Sequence, residues 1–318
     1  MGERRIAHLA APRSGDPESS NADCMQRRCA RRYAFSPDME SGKRCSMDLR
    51  SAWLATRQWV PFTLRTMAYG TVSLTLGPLT PQRSASLWAM RRWCQASARG
   101  LDIEIQASGL ENVPPGVFVY CSNHQSLLDI LALGAVLPGD FKWAAKRSLM
   151  KIPFLGWHLR LAGHVPVDRT VGSRAAVEAI SRFEAVLKSG KPLLVFPEGT
   201  RSEDGILRQF KNGGFYAAVR AGVPVVPVAI DGTHLLMKKG ALDTGDGTLR
   251  IVRVRVGAPI AVRLDGREGA RVNDLRERAH AAVSELLRSI GGRVEPPAGA
   301  AAASEAPASG ARTEQASG

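Results

Sequence analysis

Val117-Phe118-Val119-Tyr120-Cys121-Ser122-Asn123-His124-Gln125-Ser126-Leu127-Leu128-Asp129 is the stretch on which the reading of the fold turns. Residues 117–121 are all apolar and rich in β-branched and aromatic types, which predicts a buried strand. The polar residues after it predict a turn, and the apolar run after that a helix. In open α/β sheets, ligands bind at the carboxyl ends of the strands. His124 therefore falls where chemistry is usually done. Residues five apart lie about 140° apart around an ideal helix. His124 and Asp129 can meet only if the histidine precedes the helix and the aspartate sits in its first turns. The carboxylate would then hold one imidazole nitrogen as N–H and leave the other as a general base. A bare His-x4-Asp is more often a helix-start histidine beside an unrelated acid, so the pair needs further support.

Outward from this stretch, the same alternation continues. Strands are predicted at 103–107, 117–121, 141–145, 164–167, 192–196, 224–230 and 250–256. Between the fourth and fifth lies an amphipathic helix with Ala176, Ile180, Phe183 and Leu187 on one face and Gly190 at its end. A last helix is predicted from about Asp274, with Leu275, Val283, Leu286 and Ile290 facing inward. In 250–256, Arg253 and Arg255 alternate with valines, as in a strand wet on one side. Strands separated by helices imply an α/β fold with a mostly parallel central sheet flanked by helices, spanning residues 101–290.

The flanks differ in character. Residues 1–46 are basic and polar without apolar periodicity, and 291–318 are rich in Ala, Pro, Ser and Gly; both read as disordered tails. No signal peptide is legible at the start. Residues 47–100 are apolar and aromatic, and between 51 and 100 the only charges are the arginines at 57, 65, 83, 91, 92 and 99. The run from Thr66 to Gln82 is interrupted by Gly70, Gly77, Pro78 and Pro81 and falls short of the roughly 20 apolar residues that a spanning helix needs. A pair of helices lying in a membrane interface, tryptophans at head-group depth and arginines toward phosphates, fits this stretch better. The chain carries 43 Lys and Arg against 29 Asp and Glu, a formal charge of +14. Such an excess favours polyanionic partners without choosing among them.

A second polar segment, Phe196-Pro197-Glu198-Gly199-Thr200-Arg201-Ser202, again follows an apolar strand. Gly199 allows close backbone approach to a ligand, Thr200 can donate a hydroxyl, and Arg201 offers a planar fork suited to phosphate. The plain alternative is a polar turn in which Glu198 and Arg201 form a solvated pair. Lys211-Asn212-Gly213-Gly214 either extends a phosphate cradle at a helix start or is a turn with an exposed lysine.

The ordered set of segments resembles the glycerolipid acyltransferase family typified by 1-acylglycerol-3-phosphate acyltransferase. Asn123-His124 with Asp129 comes first. Lys146 with Pro153-Phe154-Leu155-Gly156, then Gly163-His164-Val165-Pro166-Val167-Asp168-Arg169, matches the second motif. The segment from Phe196 to Ser202 matches the third, and Val223-Pro224-Val225-Val226-Pro227-Val228 the fourth. The resemblance covers about residues 100–260. It implies that His124 deprotonates the acceptor hydroxyl and Asp129 orients it, with backbone N–H groups near the helix start holding the oxyanion. It implies further that Glu198, Gly199, Thr200 and Arg201 frame the acceptor phosphate, with Lys146 and Arg169 as added cations and Glu198 orienting a neighbouring arginine. The fourth motif would be a buried strand shaping the acyl or acceptor channel.

The resemblance also implies the partners: lysophosphatidate as acceptor, acyl-CoA or an acidic acyl carrier protein as donor, anionic membrane lipids as the surface, and no nucleic acid. No metal or bound cofactor is required, because the thioester is already activated. The N-terminal stretch resembles the membrane-binding helices of bacterial members, which implies the cytoplasmic face of a bacterial inner membrane, monotopic or single-span. Glycerol-3-phosphate or a lyso-ornithine lipid are alternative acceptors, and a non-catalytic binder of anionic lipid is the alternative class. A serine hydrolase lacks its Gly-x-Ser-x-Gly elbow. Cys24, Cys29 and Cys45 have no companion histidine pair for zinc, Cys121 reads as a buried strand thiol, and His158 and His164 read as core or surface residues rather than metal ligands.

Overall fold

The computed structural model describes residues 49–167, 173–237 and 250–294, all belonging to the unit Asp48–Gly318. The expected tail over residues 1–46, with its three cysteines, lies outside the described residues, as do 295–318. Two helices open the described chain, α1 (Leu49–Leu76) and α2 (Ser84–Gly100). Two 3-10 turns, Gly77–Leu79 and Pro81–Arg83, join them. Pro78 and Pro81 have no N–H to continue a helix, so the apolar run from Thr66 to Gln82 breaks at Leu76 rather than forming one rod. Among the described residues, no helix is long and apolar enough to cross a membrane.

Next come β1 (Glu104–Ser108), β2 (Val119–Ser122), α3 (Asp129–Val136), β3 (Lys142–Lys146), α4 (Leu155–Leu161) and β4 (Val165–Val167). After them follow α5 (Ser173–Lys188), β5 (Leu193–Val195), β6 (Ile206–Leu207), α6 (Gly213–Ala221), β7 (Val225–Asp231) and α7 (Thr233–Leu236). The last elements are β8 (Ile251–Val256), α8 (Glu268–Ser289) and β9 (Arg293–Val294). Each of the seven strands expected from the sequence is present, with ends shifted by a residue or so.

Seven strands form one sheet in the order β1-β8-β7-β2-β5-β3-β4. From β7 to β4 all neighbours are parallel; β8 runs antiparallel to β7, and β1 is parallel to β8. The fold is thus α/β with a mostly parallel sheet, as the alternation predicts. Side chains alternate across it. Tyr120 and Trp143 join a core with Leu131, Leu133 and Met90 from α3 and α2, against which Trp59 and Phe62 of α1 pack. Val119, Cys121 and Val195 join the other core, with Phe183 and Leu187 from α5, Phe215 from α6, and Leu275 and Val283 from α8. Both faces are covered, so the parallel strands read as continuous apolar runs. In β8 only Val252, Val254 and Val256 are buried, and the arginines face solvent.

Three expectations shift. Ala176 is exposed, leaving Phe183 and Leu187 to bury the α5 face. The last helix begins at Glu268, before Asp274, and Leu287 is fully buried beside Leu286, which packs half-buried against the core as expected. Ordered backbone also continues past residue 290: Arg293–Val294 pairs in parallel with Ile206–Leu207 as a second, two-stranded sheet. A two-residue strand is too short for periodicity to announce it.

Candidate active site

The register brings three turns to one edge. Cys121 pairs with Val195 and Ser122 with Val228, all in parallel strands, so the segments after β2, β5 and β7 leave the sheet together. The first carries His124, the second Glu198, the third Thr233. Asn123 fixes the first turn: its side-chain amide donates to the Ile230 carbonyl at 2.8 Å and accepts the Ile230 N–H at 2.8 Å, an exchange that ties the turn to β7.

His124 precedes α3 and Asp129 is its first residue, as their meeting requires. Nδ1 of His124 lies 2.7 Å from Oδ2 of Asp129, with the two residues 5% and 0% exposed. A carboxylate only accepts, so Nδ1 donates and Nε2 is left with its lone pair. The same Oδ2 accepts the N–H groups of Gln125 at 2.7 Å and Ser126 at 3.0 Å, and Oδ1 accepts the hydroxyl of Thr233. The imidazole stacks on Phe196, ring centres 4.0 Å apart. Position, tautomer and ring plane are all fixed before any substrate arrives.

Glu198 departs from its expected place. Its side chain is 4% exposed and accepts from backbone: Oε1 takes the His124 N–H at 2.7 Å and Oε2 the Arg208 N–H at 3.0 Å, with the Arg208 charge close by. With the Ser202 N–H on the His124 carbonyl at 2.9 Å, the turn after β5 grips the His124 peptide from both sides. Burial pushes the Glu198 carboxyl up to about 7, against the pull of its two N–H donors. The oxyanion expectation narrows. The amides of residues 124, 125 and 126 are committed to Glu198 and Asp129, so they are not the donors that meet a developing oxyanion.

The expected cations sit at the same edge. Lys146 ends β3, next to β5, and is exposed; Arg201 is half-buried and Thr200 exposed, both in the turn after β5. Gly199 takes a left-handed φ of +74°, and a Cβ there would come 2.9 Å from Nζ of Lys211. Lys211 thus joins Gly199, Thr200 and Arg201, its backbone N–H on the Pro197 carbonyl. Arg169 lies outside the described residues.

An apolar cavity of about 640 Å³ opens on Phe196, the ring stacked on the imidazole. Phe196, the ring under His124, forms part of its wall; Trp59, Phe62 and Ala89 from the N-terminal helix pair, Leu131 of α3 and Trp143 of β3 form others. The Val223–Val228 segment takes no part in that lining. Val225–Val228 lies in fully buried β7, with Val223 and Pro224 half-buried just before it, so the motif is a buried strand as expected while α1 and α2 wall the apolar cavity.

Cys121 lies buried within β2 and desolvation pushes its thiol far up, away from the thiolate a nucleophile needs. Among the described residues, no three His, Cys, Asp or Glu side chains gather as a metal site. Sequence reading missed Thr233 and Gln125. Gln125 is buried and donates to the Gly205 carbonyl and to Asp231 at the end of β7. The signal for Thr233 was present: Asp231-Gly232-Thr233 is a third polar turn following an apolar strand.

An acyltransferase family model matches residues 104–231, from β1 to the end of β7. The 1-acyl-sn-glycerol-3-phosphate acyltransferase of Pseudomonas aeruginosa is 31% identical over 228 residues, 70% of this chain and 85% of that one. The chain belongs to the 1-acylglycerol-3-phosphate acyltransferase family. The chloroplastic enzyme of that name from Arabidopsis thaliana is 37% identical over 58% of this chain, and the chain spans about half, 49%, of its length. The crystal structure of the 1-acyl-sn-glycerophosphate acyltransferase PlsC from Thermotoga maritima superposes with a TM-score of 0.62 at 30% identity, over 74% of this chain and 96% of that one. The family match ends at Asp231, two residues short of Thr233, and starts after both N-terminal helices, which build much of the cavity wall.

Proposed function

We propose that this family member transfers a fatty acyl group from an acyl thioester to the free hydroxyl of 1-acyl-glycerol-3-phosphate, giving phosphatidic acid. The observation that carries the reading is His124, its Nδ1 held by Asp129 at 2.7 Å and its ring stacked on Phe196, which walls an apolar cavity of about 640 Å³. Nε2 of His124 takes the acceptor's hydroxyl proton as the oxygen attacks the thioester carbonyl. Asp129 stabilises the imidazolium that forms. The tetrahedral intermediate collapses, the C–S bond breaks, and the leaving thiolate takes the proton from Nε2. One ester forms, one thioester is consumed, and no acyl-enzyme is needed. The developing oxyanion falls to donors outside residues 124–126.

The cavity supplies the acyl end. Its apolar walls suit an alkyl chain laid between the helix pair and the sheet, with the thioester at Phe196 and His124. Lys146, Arg201 and Lys211, with the Thr200 hydroxyl, supply charge-assisted donors for the acceptor's phosphate, and Arg169 is a further candidate. The donor is acyl-CoA or an acyl carrier protein; the +14 net charge suits an acidic carrier. The thioester is already activated, so the proposed chemistry calls on no metal or bound cofactor.

The reaction is placed at a membrane surface. Val60, Leu64 and Met67 recur at helical spacing along α1 and are 51%, 59% and 42% exposed, and Trp88 of α2 is exposed as well. Such a stripe suits a helix lying in the interface. Anionic lipids on the cytoplasmic leaflet would complement the chain's charge.

The test is an acceptor panel of lysophosphatidate, glycerol-3-phosphate and a lyso-ornithine lipid with one labelled acyl donor, read by mass spectrometry. Labelled phosphatidic acid from lysophosphatidate is expected, with turnover lowered roughly 10³-fold by His124→Ala. Full activity in that variant, or no ester on any phosphate-bearing acceptor, ends the proposal.

A further inference from the structure

Opposite the His124 edge, at the amino ends of β3 and β5, a second cavity of about 570 Å³ opens between the α1–α2 connection and the sheet. Its lining is unlike that of the first. Arg83, Lys142 and Lys191 converge on it, with Asp140 as the acid among them. Asp140 is bonded to both lysines, 2.6 Å from Nζ of Lys142 and 2.8 Å from Nζ of Lys191. One carboxylate thus serves two ammonium groups. Arg83 donates to the Leu161 carbonyl, a neutral acceptor, and among the described residues no carboxylate pairs with its guanidinium. Three positive charges less one negative leaves an excess of two.

Arg83 stands exposed at the cavity rim and the Lys191 side chain is 29% exposed, whereas Lys142 lies deeper. The Lys142 side chain is 12% exposed. Burial holds its ammonium below the usual lysine range, and the charges of Lys191 and Arg83 lower it further, although Asp140 pulls the other way. A buried ammonium with two further cations beside it and one carboxylate shared between two lysines is unfavourable unless an anion offsets it. The backbone adds a second, independent observation. Gln82 and Arg83 both take left-handed φ, +51° and +58°, at consecutive residues that are not glycine. Conformations of this kind carry strain and persist where the surroundings hold them, often at ligand sites. Here they set both side chains at the cavity.

We propose that this cavity is a second anion site, for the phosphate of a phosphomonoester, held by the Arg83 guanidinium and the Lys142 and Lys191 ammonium groups. A tetrahedral oxyanion accepts from a planar guanidinium and from point-charge ammonium groups at once, which matches the three donors. The site is separate from the proposed acceptor site, because it lies at the other edge of the sheet. His158 and His164 line both this cavity and the apolar one, so the two share a wall. The phosphate can come from solution or from a lipid head group beside the helix connection.

Calorimetric titration of the full chain in an Arg201→Ala background, which weakens the proposed acceptor site, tests this. Inorganic phosphate is titrated at constant ionic strength against chloride. In parallel, vesicles of phosphatidylcholine with and without phosphatidate are assayed by flotation. The proposal expects phosphate-dependent binding that Arg83→Gln and, separately, Lys191→Gln weaken about tenfold, the loss of one charge-assisted contact. Sensitivity to both variants with inorganic phosphate assigns the site to a free phosphate. The same sensitivity seen only with phosphatidate vesicles assigns it to a lipid head group. Binding that neither variant alters, or that chloride reproduces, overturns the proposal. None of these outcomes depends on His124 being the base.

Discussion

At the scale of the residue, the site is a single imidazole whose freedom has been removed from several directions. Asp129 holds Nδ1, Phe196 covers the ring, and Glu198 and Ser202 hold the peptide on either side. Thr233 acts one step further out, through its hydroxyl on Asp129. Replacing it with valine keeps the shape and leaves a buried carboxylate oxygen unpaired, which costs about 1–3 kcal/mol. Thr233→Val should lower kcat some 10- to 100-fold with KM little changed, and Thr233→Ser should restore it. Steady-state kinetics equal to the parent's would remove Thr233 from the site. Glu198 makes a pH prediction. Its folded value is raised from 4.5 to about 7, so within that window the folded chain holds a proton that the unfolded chain has released. Stability must therefore fall as pH rises from 4.5 to 7, by at most about 3 kcal/mol from this group. Urea denaturation across that range should show the slope flattened in Glu198→Gln; an unaltered slope would contradict the assignment.

At the scale of the element, the N-terminal helix pair does two jobs that no single strand could do. Its inner residues, Trp59, Phe62, Ala89 and Met90 among them, wall the apolar cavity, and its outer stripe stays apolar and exposed. Ala89 is 2% exposed and lies on the cavity wall. Ala89→Leu should fill part of the space an alkyl chain occupies and shift the preferred donor to shorter chains. A series of saturated acyl donors read by kcat/KM checks it, and an unchanged preference would place the acyl chain elsewhere. The connection between the helices is as specific as the helices. Prolines end α1, and two left-handed residues turn the chain toward α2.

At the scale of the whole molecule, one sheet separates two edges with different chemistry. The carboxyl edge holds the imidazole and its carboxylates with Lys146 and Arg201 nearby; the amino edge holds the compact cationic cavity. The apolar cavity is walled by residues of both halves of the layer on one face. In the proposed membrane reading, the exposed stripe on α1 makes the contact. Val60→Glu with Leu64→Glu should cut vesicle binding about tenfold or more, because two apolar side chains are lost from the interface and two negative charges gained. Flotation with anionic vesicles measures it. Undiminished binding would move the contact surface away from α1. Activity on a water-soluble, short-chain acceptor should change little, since neither residue lines the cavity.

Much of the fold was legible in the chain because local patterns carry it. Apolar runs at strand length, separated by polar turns and an amphipathic helix, dictated an α/β layer, and the requirement that His124 precede a helix begun near Asp129 followed from helix geometry alone. The placement of Gly199 and Arg201 at the same edge was legible too, through the shared position of both turns after apolar strands. Other features were decided only by tertiary structure. Glu198 reads as a phosphate-side residue in sequence, yet the register of β2 beside β5 sets its carboxylate on the His124 N–H. Thr233 is 109 positions from His124 and reaches Asp129 because β7 lies on the other side of β2. The cationic cavity joins residues 83, 142 and 191, far apart in the chain. Periodicity reports which face of an element is apolar. Which elements become neighbours, and therefore which polar groups meet out of water, depends on strand order and register, and those are settled by packing across the whole sheet.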